Sequence, residues 1–100
     1  MKRTYARSSM LRIDIWPEAR DFLESLPGKY RRQISAKIFS LAADPLLPRS
    51  KLLEGHAPFR RYRSGDYRIV YFVDKDVLKV PLIDKRGDDR VYRRLKQMFR

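Results

Sequence analysis

The sequence of 100 residues contains no cysteine and a single histidine, His56. The absence of cysteine excludes disulfide bonds, thiolate nucleophiles and zinc–thiolate sites. One histidine leaves little for imidazole catalysis or for a metal site. His56 stands in "EGHAPF", beside Gly55 and Pro58, a setting typical of an ordinary loop residue. We therefore expect neither a metal nor an organic cofactor.

The sequence also lacks long apolar runs. No stretch approaches the roughly 20 apolar residues that a membrane-spanning helix requires. The basic start, "MKRTYARSS", is not followed by the apolar core of a signal peptide. These absences predict a cytoplasmic protein with no membrane partner.

Acidic residues are scarce relative to basic ones: 12 Asp and Glu stand against 24 Lys and Arg, a formal net charge of +12. This charge favours polyanionic partners, namely nucleic acid, anionic lipid or an acidic protein. Lipid is the weakest of the three, because no strongly amphipathic surface helix is evident. The length and the 43% of hydrophobic residues fit one compact domain. We assign it to residues 10–100, after a basic arm at residues 1–9.

The first half of the domain predicts one strand and two helices. Leu11, Ile13 and Ile15 alternate with polar residues, which is the period-two pattern of a half-buried strand. Pro17 suits the first turn of a helix. The apolar stripes are Ala19, Phe22, Leu23 and Leu26 in the first helix and Tyr30, Ile34, Ile38, Leu41 and Ala42 in the second. The second helix is expected from about residue 29 to residue 43, so the two form an αα-hairpin.

The second half predicts a loop, three strands and a helix. Residues 44–58 hold three prolines and a glycine without a clear period, which indicates an ordered loop. Strands are expected at residues 59–64, 67–73 and 77 to about 83, joined by hairpin turns. Pro81 must lie at a bulge or turn its nitrogen away from a partner strand. A C-terminal helix, capped by Asp88 or Asp89, carries the core stripe Val91, Leu95, Met98 and Phe99. The predicted fold class is α+β, with the order β-α-α-β-β-β-α and a mostly antiparallel sheet.

The segment "FRRYRSGDYRIVYF" sets four arginines among five aromatic residues. If Gly65 and Asp66 form a two-residue turn, Arg63 pairs with Arg68 and Arg61 with Val70. The pleat then separates two faces. One carries Tyr62, Tyr67, Ile69, Tyr71 and Val73, and the other carries Arg61, Arg63, Arg68, Val70 and Phe72.

Arg63 opposite Arg68 is a like-charge cross-strand pair, which by itself costs stability. A phosphate or a carboxylate would offset this cost, whereas a plain solvated basic face is the alternative interpretation. Because Arg68 belongs to no inferred apolar face, its removal should leave the fold intact. Further along, "LIDKRGDDRVYRRL" places Lys85 and Arg86 after the last strand. Tyr92 follows a core residue of the last helix and lies at the border of its buried face.

Three pieces of the sequence resemble the RelE/ParE superfamily, the toxins of type II toxin–antitoxin systems. They are "KLLEG", "RYRSGDYRIVYFVDKDVLKV" and "KRGDDRVYRRL", which together cover roughly residues 51–95. The resemblance implies a small α/β toxin that a cognate antitoxin inhibits and that binds operator DNA only within the toxin–antitoxin complex. RelE-like members cut mRNA in the ribosomal A site, whereas ParE-like members poison DNA gyrase.

The resemblance to the RelE-like branch also implies a catalytic set. Arg68 matches the family arginine of "DYR", Arg86 matches the arginine after the last strand, and Tyr92 stands at the matching spacing beyond it. Arg61 or Arg63 fills the place of the basic pair on the preceding strand, a pair that is usually lysine in the best known branch. We therefore predict Arg61, Arg68, Arg86 and Tyr92 as catalytic residues and Arg63, Lys85, Arg90 and Arg93 as RNA contacts.

These residue types suit RNA cleavage without a metal. Arginine binds phosphate bidentately and can stabilise the charge of a phosphorane, but it is a poor base. Tyr92 is the candidate base or, alternatively, a platform on which a nucleobase stacks. The first hypothesis is a ribosome-dependent mRNA endoribonuclease. The alternatives are a ParE-like inhibitor of gyrase and a non-catalytic nucleic-acid-binding module.

Overall fold

The computed structural model of the protein describes residues 10–85 and 88–98. Its elements are β1 (Arg12–Ile15), α1 (Pro17–Glu24), α2 (Gly28–Ala43), β2 (Lys51–Leu52), β3 (Arg60–Ser64), β4 (Tyr67–Asp74), β5 (Val77–Lys85) and α3 (Asp88–Met98). This confirms the predicted order of elements. The one addition is β2, two residues within the segment expected to be an ordered loop.

The strands form one sheet in the order β1-β5-β4-β3-β2. The hairpins β2–β3, β3–β4 and β4–β5 are antiparallel. Strand β1 pairs in parallel with β5. The αα-hairpin follows β1 and carries the chain to β2 at the opposite edge of the sheet. The sheet is therefore mixed but mostly antiparallel, as expected.

Helices α1 and α2 cover one face of the sheet, which we call the helix-covered face. Pro17 occupies the first turn of α1, and Pro27 immediately precedes α2. The predicted stripes pack against the sheet, with Ile34, Ile38 and Leu41 buried. The partly buried residues on this core include Phe22, Leu26 and Tyr62. Tyr30 is the exception in its stripe, because it lies at the start of α2 with more than a third of its surface exposed.

The opposite face of the sheet, which we call the arginine face, is partly covered by α3. Leu95 packs there with Leu53, Val70 and Leu82, and Phe59 and Met98 border this smaller cluster. The burial of Leu95 confirms one member of the predicted stripe of the last helix. The side chain of Val91, the whole of Phe99 and the predicted arm at residues 1–9 lie outside the described residues.

A β-bulge in β5 settles the position of Pro81. Val70 pairs with Leu82 and Phe72 pairs with Lys79, so Tyr71 alone lies opposite the two residues Val80 and Pro81. A bulge leaves one residue without a ladder bond, which accommodates a residue that has no N–H to donate. Of the two placements that the sequence allowed, Pro81 takes the bulge.

Candidate nucleic-acid interface

The β3–β4 hairpin aligns the predicted arginines as the turn chemistry indicated. Gly65 has a φ of 59°, a left-handed conformation that favours glycine. Arg63 pairs with Arg68, and Arg61 pairs with Val70. Because paired residues point to the same side of a sheet, Arg61, Arg63 and Arg68 share the arginine face.

The three arginines differ in their access to a ligand. Arg63 is exposed and Arg61 is half-buried, whereas Arg68 is only 6% exposed. This burial contradicts the premise that Arg68 lies outside the packed interior, so we now expect its removal to destabilise the fold. The physical reason is its position, since β4 is the central strand of the sheet and α3 packs on the neighbouring Val70.

A buried carboxylate stands opposite Arg68. Asp84 is its register partner on β5 and is only 2% exposed. One carboxylate oxygen of Asp84, Oδ1, accepts the backbone N–H of Lys85 at 2.8 Å. The other, Oδ2, lies 3.7 Å from Nε of Arg94. The anion expected to offset the Arg63–Arg68 pair is thus supplied in part by the chain itself.

Arg94 connects α3 to both the sheet and α1. Besides its contact with Asp84, its guanidinium forms an ion pair with Glu18. Neither Asp84, Arg94 nor Glu18 was predicted as part of the site. They come from three different elements, of which α1 is distant in the sequence from β5 and α3. The bulge at Pro81 also changes which face of the sheet Asp84 lies on, which strand alternation alone does not predict.

The remaining predicted residues do not all join this cluster. Lys85 is exposed, and its register partner Tyr67 packs under the αα-hairpin, so Lys85 is assigned to the opposite side from the arginines. Arg93 is exposed on α3. Arg90 and Tyr92 belong to α3, but their side chains, like the whole of Arg86, lie outside the described residues.

An aromatic row continues the arginine face beyond Arg61. The rings of Phe59 and Phe72 meet edge to face with centroids 5.0 Å apart, and Phe72 meets Trp16 in the same way at 6.1 Å. All three residues are half-buried. Of the three, only Phe72 was named on this face by the strand pattern. Phe59 was expected to begin the strand at residues 59–64, but the structure starts β3 at Arg60, and Trp16 follows the end of β1.

The arginine face carries groups whose chemistry suits phosphate and nucleobase contacts. Arg61 and Arg63 present planar guanidinium groups with paired donors that match two phosphate oxygens. The aromatic row lies on the same face, and aromatic rings are the groups on which the bases of a single strand stack.

Among residues 10–85 and 88–98, no group of three or more His, Asp or Glu side chains is placed to hold a metal ion. Nor does any helix of that part of the chain have the length and apolar content needed to cross a membrane.

Comparison with known proteins identifies the fold and the family. A family model described as the ParE toxin of the type II toxin–antitoxin system matches residues 13–90. No curated protein sequence matches the chain. Among solved structures, a chain of the archaeal RelE–RelB complex from Pyrococcus horikoshii OT3 is 30% identical, with a TM-score of 0.68. That alignment covers 79% of this chain and 98% of the other.

Two further structures share the fold at lower identity. A mutant of the Escherichia coli toxin RelE in the free state is 23% identical, with a TM-score of 0.75 over 92% of this chain and 100% of that one. The YoeB dimer from Staphylococcus aureus is 20% identical, with a TM-score of 0.66 over 79% and 100% of the two chains. Because the family model spans most of the sequence and the archaeal relative is matched over nearly its whole length, the chain belongs to the RelE/ParE superfamily of toxins of type II toxin–antitoxin systems.

Proposed function

We propose that this toxin is a metal-independent, ribosome-dependent mRNA endoribonuclease that inhibits translation. The observation that carries the proposal is the arginine face, on which Arg61 and Arg63 are accessible beside Arg68. Helix α3, which contains Tyr92, packs on that same face through Leu95. A basic sheet surface bordered by this helix is where an RNA strand would lie.

The proposed reaction is attack of a ribose 2′-oxygen on the adjacent phosphorus. The new P–O2′ bond forms as the P–O5′ bond breaks, and the departing 5′-oxygen takes a proton from solvent, which gives a 2′,3′-cyclic phosphate and a 5′-hydroxyl. Tyr92 accepts the proton of the 2′-OH or stacks on a base, and Arg61 and Arg86 stabilise the extra charge on the phosphorane. Arg68, held beside Asp84, contributes a positive charge fixed in place before the substrate arrives.

The proposed partners follow from the same hypothesis. Arg63, Arg90 and Arg93 would contact mRNA around the cleaved bond, and Lys85, on the opposite side of the sheet, would contact the surrounding ribosomal RNA. The Pyrococcus horikoshii relative was solved as a RelE–RelB complex, and RelE of Escherichia coli as a toxin–antitoxin complex. A cognate antitoxin would likewise neutralise this chain, and operator DNA would be bound only by the toxin–antitoxin complex.

The decisive experiment combines purified protein, programmed ribosomes and a labelled mRNA. The endoribonuclease hypothesis expects cuts at fixed codon positions that require the ribosome. The variant carrying Arg86→Ala and Tyr92→Ala should bind ribosomes but cut at least about 100-fold more slowly. Arg32→Ala, on the outer surface of α2, is the matched control and should cut like the wild type. Undiminished cutting by the folded double variant would rule out the proposed catalytic pair.

A second candidate function is inhibition of DNA gyrase. The observation that favours it is the family model, which is that of the ParE toxin. This function needs no tyrosine beside a basic pocket, so it expects the Arg86→Ala, Tyr92→Ala variant to retain activity. A gyrase supercoiling and cleavage assay on the same preparations separates the two. Gyrase poisoning with intact mRNA would select this function and end the ribonuclease hypothesis.

A further inference from the structure

Three elements of the fold meet at one side chain, Arg94 of α3. Its Nε lies 3.7 Å from Oδ2 of Asp84 on β5, and its Nη2 forms an ion pair with Glu18. Glu18 stands in the first turn of α1, where the helix dipole favours a carboxylate. Because the donors of a guanidinium have fixed directions, two carboxylates on different elements fix its plane as well as its position. Arg94 therefore ties α3 to β5 and to α1 at once.

The neighbours of Arg94 in α3 hold the helix in a different way. Among residues 93–98, whose side chains the structure describes, Leu95 is buried in the smaller apolar cluster and Met98 borders it. The exposed side chains of this part of the helix are Arg93, Lys96 and Gln97. Apolar packing has no preferred direction, so by itself it lets a helix rotate or slide on a sheet. The directional contacts of Arg94 remove this freedom.

Asp84 connects Arg94 to the proposed site. It is the register partner of Arg68, and its Oδ1 is held by the backbone N–H of Lys85 at 2.8 Å. The carboxylate is therefore fixed between an arginine of the sheet and an arginine of the helix. A buried ion pair adds little net stability, because the desolvation of the charges offsets most of their attraction, but it can specify one arrangement of the elements that it joins. Here it specifies how α3 lies relative to β4.

We propose that Arg94 is a positioning residue for the cleavage reaction. By binding Glu18 and Asp84 together, it fixes the placement of α3 on the sheet, and this holds the backbone of Tyr92 at a set distance from Arg68. The inference rests on the proposed ribonuclease function, in which Tyr92 and Arg68 act at the same cleaved bond. Tyr92 precedes Arg94 by two residues, about 3 Å along the helix axis. A displacement of about 1 Å at a reacting group can slow a reaction about 100-fold.

The alternative is that Arg94 is one more cation that contacts RNA. Glu18→Gln separates the two roles, because it removes the negative charge beside Arg94 and leaves the arginine freer to bind a phosphate. The RNA-contact role expects tighter RNA binding and cleavage that is no slower. The positioning role expects slower cleavage, because α3 is held less firmly. Glu24→Gln is the matched control, since Glu24 is exposed at the other end of α1.

The first measurement is single-turnover cleavage of mRNA on programmed ribosomes, with ribosome affinity measured alongside. Arg94→Met should slow cleavage at least about tenfold at unchanged affinity, and Glu18→Gln at least about threefold. Arg94→Lys should recover only part of the loss, because an ammonium is a point charge without the fork of a guanidinium. Lys96→Met, on the exposed side of α3, and Glu24→Gln should cut like the wild type. Full recovery by Arg94→Lys, or undiminished cutting by Arg94→Met, would overturn the positioning role.

A double-mutant cycle with Tyr92→Ala shows whether Arg94 acts through Tyr92. If it does, Arg94→Met should slow the Tyr92→Ala chain by no more than about threefold, although it slows the wild type at least about tenfold. A merely structural role predicts the same loss in both backgrounds. That result would overturn the proposal.

Amide hydrogen exchange of α3 tests the two ion pairs of Arg94 without reference to activity. Arg94→Met and Glu18→Gln should accelerate exchange in α3 at least about tenfold, and the two control variants should not. Unchanged exchange would overturn the proposal even if cleavage slowed. If Arg94→Met does not fold, Glu18→Gln, which alters an exposed carboxylate, carries both measurements. A wild type that leaves mRNA intact on ribosomes, with exchange that still depends on Arg94, would overturn the ribonuclease function but not the fixed placement of α3.

Discussion

The two faces of the sheet are built from alternate residues of the same strands, yet they differ in what covers them. On the helix-covered face, α1 and α2 close over Ile69, Tyr71 and Val80, which have no exposed surface. On the arginine face, α3 covers only part of the strands, and Arg63 remains open to solvent. The comparison shows that one strand pattern builds two different surfaces: the closed side buries the apolar core, and the half-open side leaves arginine side chains exposed to solvent.

The largest effect on stability is expected from a substitution in the hydrophobic core of the helix-covered face. Ile69→Ala removes a fully buried side chain at the centre of β4 and should lower the free energy of unfolding by about 4 kcal/mol. Ile69→Val, which deletes one methylene, should cost about 1 kcal/mol. Urea denaturation of both variants measures these changes. A cost below about 1 kcal/mol for Ile69→Ala would show that the core is not packed as described.

Arg68→Ala should have the next largest effect on the free energy of unfolding. Arg68 belongs to the arginine face but is buried, so a substitution on the half-open side should also destabilise the fold. The substitution leaves Asp84 buried without the arginine opposite it, which should cost about 3 kcal/mol. Replacing both partners, Arg68→Met with Asp84→Leu, should recover most of this loss. Urea denaturation of the single and double variants tests the pair. Equal destabilisation in the two would mean that Arg68 does not stabilise the fold through Asp84.

A pair of substitutions at the open edge of the arginine face should leave stability within about 0.5 kcal/mol of the wild type. Arg61→Ala with Arg63→Ala removes two accessible cations and relieves the repulsion between Arg63 and Arg68. RNA affinity should fall, and its logarithmic salt slope should decrease by about 0.7 for each phosphate that the variant no longer binds. The control replaces Arg31 and Arg32 of α2 by alanine. Equal effects in test and control would favour a uniformly basic surface over a defined RNA face.

The smallest effect on stability is expected from Tyr92→Phe, which keeps the ring and deletes one hydroxyl. If the hydroxyl transfers a proton, single-turnover cleavage on ribosomes should slow by at least about 100-fold while RNA affinity stays constant. We expect this large loss. A loss of only a few-fold would assign Tyr92 to base stacking instead, and Tyr92→Ala would then cause most of the defect.

Local patterns of the sequence predicted the elements that depend on neighbouring residues alone. The 3.6-residue period revealed the buried stripes of α1 and α2, and the Gly65–Asp66 turn fixed the register of β3 on β4. Site features that depend on contacts between different elements could not be predicted from these local patterns. The contacts of Asp84 with Arg94, and of Arg94 with Glu18, join a strand and two helices whose mutual placement no local pattern encodes. The burial of Arg68 was not predicted for the same reason, since it depends on β4 being the central strand and on the packing of α3 beside Val70.

The bulge at Val80 and Pro81 inserts one extra residue into β5 and so reverses the side of the sheet that each later residue of the strand faces. Counted one to one from the β4–β5 turn, Ile83 would stand opposite Arg68, and Asp84 would point toward Tyr67 under the αα-hairpin. The extra residue moves every later side chain to the other face, so Ile83 joins the core and Asp84 meets the arginine. One backbone irregularity therefore keeps a carboxylate out of the hydrophobic core and gives a buried arginine its counter-charge.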